Sequence, residues 1–334
     1  MIQRGEDSNH MDTPAIARVI DAALEATVVG SFSRIGPAVR SRVDDWTPIE
    51  ELPGAGRTVL VTGANSGLGL ATVLGLARTG ASLRIVVRSQ SKAAATVARI
   101  TEVNPATEVT VHLADLTDLD RVREVAAEIA AAGPLDAVVH NAGAMFDERA
   151  ETEDGIERTI ALHVVGPQAL THGLLDTLAA SAGRVIWVSS GGMYTQRLSV
   201  SHLQSPDDYA PATAYARAKR AQVVLAGQWQ ERFGHTGVTF HAMHPGWALT
   251  PGVESSLPVF RTVMGPLLRD TETGADTVVW LALADAPTSE PGRFWLDRRP
   301  RSTVRFPGTR HDPEAEHRLW TEVERLAHGM DDPA

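Results

Sequence analysis

Thr58-Val59-Leu60-Val61-Thr62-Gly63-Ala64-Asn65-Ser66-Gly67-Leu68-Gly69-Leu70-Ala71-Thr72-Val73-Leu74 runs from an apolar, β-branched stretch through a glycine-rich turn into a helical pattern. Strand, glycine turn and helix in that order put free backbone N–H groups at a helix N-terminus, where the dipole also favours an anion, and glycines let the backbone approach a pyrophosphate. Such a turn can also be a plain connection. The chain beyond it favours the ligand reading. Asn141-Ala142-Gly143 follows the apolar run Leu135 to His140, Ser189-Ser190 follows Arg184 to Val188, and His244-Pro245-Gly246 follows Val238 to Met243. Each small or polar group ends an apolar strand, which is where an open parallel sheet binds its ligand.

From Thr58 onward, short β-rich runs alternate with helical periods. The expected strands are 58–62, 82–87, 108–112, 136–140, 184–189, 237–243 and 293–296, and the expected helices 67–79, 91–102, 118–131, 153–180, 212–233 and 272–284. With right-handed crossovers this βαβ order gives an α/β protein with a doubly wound, mainly parallel sheet of the Rossmann type and helices on both faces. The organisation is an N-terminal extension over 1–55, a catalytic unit over 56–300 and a C-terminal segment over 301–334. In the extension, Ile16, Val19, Ile20, Leu24 and Val28 recur at helical spacing after Thr13-Pro14. This face is expected to lie on the body or on a second subunit, since Arg18, Asp21 and Glu25 give no basic face for a membrane. Residues 31–56 read as a linker, and Leu319, Trp320, Val323 and Leu326 as a short terminal helix.

Only two lysines are present among the 31 basic residues, and Lys219 lies four positions after Tyr215, one of three tyrosines. On a helix, i and i+4 share a face. A compact ammonium can then sit beside both a phenol and a ribose, which a wide guanidinium does less well. That is the chemistry of a tyrosine proton donor; a tyrosine packed on a lysine stem is the structural alternative.

With these motifs in order, the chain over roughly 56–300 resembles the short-chain dehydrogenase/reductase superfamily. The motifs are Thr62-Gly63-x-x-x-Gly67-x-Gly69, Asp115-Leu116, Asn141-Ala142-Gly143, Ser190, Tyr215-x-x-x-Lys219 and Pro245-Gly246. VSSGGMY, YARAKRAQVVL, MHPGWALTPGV and GRFWLDRRP are similar to one narrower dehydrogenase/reductase subgroup. The resemblance implies hydride transfer between a nicotinamide cofactor and a carbonyl or alcohol. It makes Tyr215 the acid, Lys219 its electrostatic support and Ser190 the group that positions the substrate oxygen. It assigns the dinucleotide to Thr62, Gly63, Asn65, Ser66, Gly67, Leu68, Gly69, Arg88, Asp115, Leu116, Asn141, Ala142, Gly143, Tyr215, Lys219, Pro245, Gly246 and Thr250, with a lid over about 247–270. Lys219 and the cofactor's charge are expected to favour the phenolate, bringing proton exchange near neutral pH. Ser190 and Tyr215 stand 25 positions apart, so 191–210 should be a loop beside the substrate.

In Leu162-His163-Val164-Val165-Gly166, His163 stands where the family carries an asparagine that holds a relay water, and it departs from the subgroup as well. A capping or helix-bending histidine, a working relay substitute whose neutral imidazole donates and accepts, and impaired catalysis are the three readings; a relay in which the ring ionises would add a pH dependence near 6 to 7. At the end of the second strand Arg88 stands where an NAD enzyme places an acid, so NADP(H) is favoured over NAD(H). Arg84 begins that strand, too far from the ribose. Met145, Phe146, Met193, Tyr194, Trp247, Leu249, Val253, Leu257, Val259, Phe260 and Met264 suggest an apolar substrate pocket, suited to a hydrophobic ketone, aldehyde or secondary alcohol.

Composition excludes other classes. A chain of 334 residues, 43% hydrophobic, can bury a full core, and no apolar run reaches the length of a membrane span. A formal charge of −10 argues against nucleic acid and anionic lipid. The absence of cysteine excludes disulfides and suits a reducing cytoplasm. The twelve histidines show no close ligand spacing, so no metal is expected. A homo-oligomer is left open. The second functional class is a dinucleotide-binding partner or sensor with weak or lost catalysis, although a pure binder would not need Ser190, Tyr215 and Lys219 together.

Overall fold

The computed structural model describes residues 15–207, 209–249, 261, 262, 264–310 and 312–328. Its centre is an eight-stranded sheet: β1 (Thr58–Thr62), β2 (Ser82–Val87), β3 (Val109–Leu113), β4 (Ala137–His140), β5 (Arg184–Val188), β6 (Thr239–Met243), β7 (Phe294–Leu296) and β8 (Arg299–Arg301). Their spatial order is β3-β2-β1-β4-β5-β6-β7-β8; every neighbouring pair is parallel except β7 with β8. Reversal of strand order between β1 and β4 creates the crevice that doubly wound folds use for ligands. Strand alternation feeds two cores. Leu60 belongs to one with Val138, Trp187 and Phe240, and Val59 and Val61 to the other with Ile85, Val139 and Ile186.

The first core is closed by α6 (Leu119–Ala131), α8 (Gly166–Ala180) and α9 (Pro211–Phe233), the second by α4 (Gly67–Arg78), α5 (Gln90–Val103) and α10 (Thr271–Leu283). Strand and helix positions agree with the sequence reading to within two residues except at three places. The helix expected from 153 begins at α7 (Arg158–Ile160) and passes through a π-helical turn over Ala161–Val165 before α8. Strand β8 was not expected, because Arg299-Pro300-Arg301 carries no apolar alternation; proline is tolerated there on an edge strand. Residues 31–56 are more structured than a linker: after α1 (Ala15–Glu25) and α2 (Val28–Phe32), α3 (Ile35–Val43) spans the segment's first half.

The expected apolar face divides: Ile20 and Leu24 on α1 and Val28 at the start of α2 are half-buried on this chain. Ile16 and Val19 are 69% and 67% exposed, while Asp21 and Glu25 turn inward. They meet an arginine cluster. Asp21 bonds Arg40 Nε and Arg301 Nη1, each at 2.7 Å, and Glu25 bonds Arg40 Nη2 at 2.9 Å and Arg305 Nη1 at 3.0 Å. Burial works to raise the Asp21 pKa, but hydrogen bonds and charges from Arg301 and Arg40 outweigh it and hold the carboxyl at about 2. Deeper in, Asp297 takes Arg40 on one carboxylate oxygen at 2.6 Å and Arg269 on the other at 2.5 Å. All three are 1–2% exposed. Thr13-Pro14, read as the start of this helix, lies outside the described residues.

At the opposite end, α11 (Pro313–His328) buries Leu319, Trp320 and Val323 on α8 and α9, as the terminal pattern predicts. No described helix is long and apolar enough to cross a membrane.

Removing one partner of a buried ion pair leaves an uncompensated charge. Asp297→Ala strands Arg40 and Arg269 and should lower unfolding stability by about 3 to 5 kcal/mol in urea titration. A loss below about 1 kcal/mol would show that the cluster contributes no more than a surface pair.

Candidate active site

At the carboxyl edge, the Thr62 hydroxyl ties two strand ends together. Its oxygen accepts from the backbone N–H groups of Asn141 at 3.1 Å and Ala142 at 3.0 Å. Asn141 Nδ2 donates back to the carbonyls of Thr62 at 3.1 Å and Gly63 at 3.3 Å. Gly63 has φ +67°, and a Cβ there would stand 2.7 Å from Ala142 Cα, so both the turn and the close approach require glycine. Ser66, at the N-cap of α4, makes no side-chain cap bond. The opening N–H groups of α4 therefore lack a side-chain acceptor, which fits the phosphates of a dinucleotide.

Arg88 leaves the end of β2 toward solvent, 68% exposed, and pairs at 3.5 Å with Asp115, whose other oxygen accepts from Thr117 N and Oγ1 at 3.0 and 2.8 Å. An exposed pair of this kind contributes under about 1 kcal/mol, so the guanidinium can turn to another anion. Arg84 is occupied elsewhere: it is buried and caps the end of α6 through the carbonyls of Ile129, Ala132 and Gly133.

Helix α9 brings Tyr215 and Lys219 to the end of β5. Ser189 Oγ donates to the Lys219 carbonyl and Lys219 Nζ to the Val188 carbonyl, both at 2.8 Å, which fixes helix to strand. Nζ stands 5.4 Å from the Tyr215 ring centroid. Lys219 is 3% exposed, and burial pushes its pKa down to about 7. Tyr215 is half-buried; burial pushes its phenol up to about 12, against a smaller downward pull from a hydrogen bond with Ser190. In the cofactor-free protein, desolvation keeps the proton on Tyr215. The Ser190 hydroxyl also accepts from Gly192 N at 3.2 Å. The stretch from 191 to 210 runs as short turns beside this group, as expected, although Met193, Tyr194, Leu198 and Leu203 are buried in the core.

His163 lies in the π-helical turn with its ring fully buried, edge-on to Tyr215 at 5.3 Å between centroids. Its Nε2 bonds the Ala144 carbonyl at 2.8 Å, and its Nδ1 is buried without a partner. Burial, with the Lys219 charge, lowers its pKa to about 3 despite the Ala144 bond, which favours a neutral ring. A Cβ on Gly143 would come 2.6 Å from His163 Cε1, so the glycine of Asn141-Ala142-Gly143 makes room for this imidazole. Gln222 was missed by the sequence reading. Its Nε2 donates to the His163 carbonyl at 2.7 Å, while its Oε1 is buried and unpartnered. His163 Nδ1 and Gln222 Oε1, both orphaned, suit a bound water.

Thr250, Val253, Leu257, Val259 and Phe260, assigned to cofactor or lid, lie outside the described residues. Of the other pocket candidates, Phe146 packs under Arg158 at 3.9 Å, Trp247 is half-buried and Leu249 is 38% exposed. Contrary to the absence of close histidine spacing in sequence, α8 and α11 bring donor atoms of His172, Glu324 and His328 within 4.8 Å of one another. Among them, His172 Nε2 and a Glu324 carboxylate oxygen are hydrogen-bonded at 2.8 Å, a contact that docks α11.

The short chain dehydrogenase family model matches residues 57–258. Human "Dehydrogenase/reductase SDR family member 12" is 38% identical over 86% of this chain and 92% of its own length, in agreement with the narrower likeness. Bovine "Retinol dehydrogenase 12" is 33% identical over 86% and 91%. A crystal structure of a protein from Mycobacterium paratuberculosis superposes with TM-score 0.68 at 30% identity, covering 86% of this chain and 99% of that one.

Because burial opposes a charged Lys219, the unfolded chain binds this proton more tightly than the folded one between pH about 7 and the 10.5 of a free lysine, and stability rises with pH across that window. Lys219→Met should therefore raise the unfolding temperature near pH 6 by several degrees, with the gain vanishing toward pH 10.5. Thermal unfolding across that range checks it. Destabilisation near pH 6 would mean that the bond to Val188 outweighs the desolvation.

Proposed function

Because the chain belongs to the short-chain dehydrogenase/reductase family, and is thus an NAD(P)-dependent oxidoreductase of CH–OH and carbonyl groups, we propose that it reduces apolar ketones or aldehydes with NADPH. The observation that carries the reading is the Tyr215 phenol, kept protonated by burial and hydrogen-bonded to Ser190 above a buried lysine. Bound NADPH supplies the hydride to the carbonyl carbon. The Ser190 hydroxyl donates a hydrogen bond to the carbonyl oxygen and orients it, and Tyr215 gives that oxygen its proton. Lys219 holds positive charge beneath the phenolate that is left. A water held by His163 Nδ1 and Gln222 Oε1 would sit among these groups, with the neutral imidazole acting as a fixed acceptor.

NADPH is preferred to NADH on the strength of Arg88, which is exposed and weakly held at the end of β2, the position facing a ribose in this fold. An apolar substrate accords with Phe146 and Trp247 near the strand ends and with the retinol named for the bovine relative. The cysteine-free chain suits the cytoplasm, the compartment we assign.

Tyr215→Phe keeps the ring and removes the proton. It should retain NADPH binding and lose turnover by about 100- to 10,000-fold in an assay of NADPH oxidation over a panel of apolar carbonyls. Turnover equal to the parent's would reduce the Tyr215–Lys219 pair to packing.

Arg88→Ala should remove about 1.5 to 3 kcal/mol of NADPH affinity and leave NADH nearly unchanged. Titration by cofactor fluorescence decides this; equal NADPH and NADH affinities in the parent would refute the preference.

A further inference from the structure

Phe32 comes from the extension that precedes the sheet, yet it is 3% exposed and lies between two loops of the active-site edge. On one side is the serine turn. A Cβ added to Gly191, the residue after Ser190, would meet Phe32 Cε2 at 2.7 Å and Cδ2 at 3.1 Å. The Tyr194 ring, which ends that turn, stacks on Phe32 at 6.1 Å between centroids. On the other side is the loop after β6. The Phe32 ring lies 4.6 Å from His244 and 6.0 Å from Trp247 between centroids, and its carbonyl accepts Trp247 N at 2.8 Å. Gly246, between those two residues, has φ +71°, and a Cβ there would stand 2.6 Å from the Phe32 carbonyl oxygen. Arg269 Nε reaches that same oxygen at 2.9 Å.

We propose that Phe32 is a positioning residue for hydride transfer: its ring sets the gap between the Ser190-Gly191 turn and the Pro245-Gly246 loop, and with it the placement of the Ser190 hydroxyl. The proposal rests on the role given above to Ser190. Ser190 has no rigid hold of its own, since its hydroxyl bonds only the exchangeable Gly192 N–H and the Tyr215 phenol among described contacts. The wall behind Gly191 therefore decides where the turn sits, and that wall is aromatic. Misplacing a reacting group by about 1 Å can cost 100-fold in rate without weakening binding.

The reciprocal geometry supplies the test. Gly191→Ala alone collides with the ring, Phe32→Ala alone leaves a void, and the two together let the new methyl enter the space the ring vacates. Turnover, carbonyl KM, NADPH affinity and unfolding temperature are measured for the parent, both single variants, the double variant and Phe32→Leu. Each alanine variant should lose about tenfold or more in kcat with NADPH affinity within about threefold, and Phe32→Leu should keep most of the rate. The double variant should run at least about tenfold faster than the product of the two losses. Multiplicative losses in kcat, or coupling that appears in unfolding temperature while kcat losses multiply, overturn the proposal. A parent that turns over no carbonyl counts against the oxidoreductase assignment made for Ser190 and Tyr215. In that event the role given to Phe32 in hydride transfer falls with it, whatever the coupling in unfolding temperature.

Discussion

Asp297 binds two buried arginines, Arg40 on one carboxylate oxygen and Arg269 on both, and the two come from distant parts of the chain: Arg40 from the N-terminal helices and Arg269 from the segment that follows the β6 loop. Three charges this deep would be costly apart, so each compels the presence of the others. Arg269 also donates to the carbonyls of Ser31, Phe32 and Ser33, which places α2 against the site. The turn that presents Asp297 is itself unusual. Asp297 and Arg298 have φ +53° and +54°, a conformation natural to Asn-Gly in tight hairpins and strained for arginine. Two bonds from Arg298 to Asp276, at 2.7 and 2.8 Å, and the Trp46 ring 4.7 Å below the guanidinium hold it there. The extension is thus joined through ion pairs to the same elements that frame the catalytic edge.

A second trade sits at Lys219. Its ammonium is buried with one carbonyl within reach, a cost the fold bears at the place where chemistry needs a positive charge. Stabilised elements elsewhere carry that cost: the parallel strands on either side of β5 are covered on both faces by apolar side chains. Tyr215 shows the same balance, since the burial that raises its pKa also keeps the proton in place for donation.

The sheet and the Tyr215–Lys219 pair were legible in sequence because both follow local rules: strand–turn–helix periodicity, and i, i+4 adjacency on a helix. The glycine loop was legible for the same reason. What escaped depends on residues distant in sequence. Nothing around Phe32 announces a partner at Gly191, and nothing around Asp21 and Glu25 announces arginines at 301 and 305, so the inward place of these two acids on α1 could not be read from its hydrophobic stripe. His163 was visible as an anomaly, but its meaning was not: only the fold shows that Gly143 yields the space and that burial keeps the ring neutral. Strand β8 was hidden because ion pairs and an edge position, not apolar alternation, hold Arg299-Pro300-Arg301.

The bond between Arg40 and Asp297 spans 257 positions of chain. Contacts of such separation close late, because the entropy of the intervening loop must be offset by structure already formed. Helix α1 docks through little apolar surface, Ala17 with part of Ile20 and Leu24, while Ile16 and Val19 face outward and Asp21 and Glu25 pair with arginines from β8 and beyond. The N-terminal helices can therefore complete their ion pairs only once β8 and the residues after it are in place.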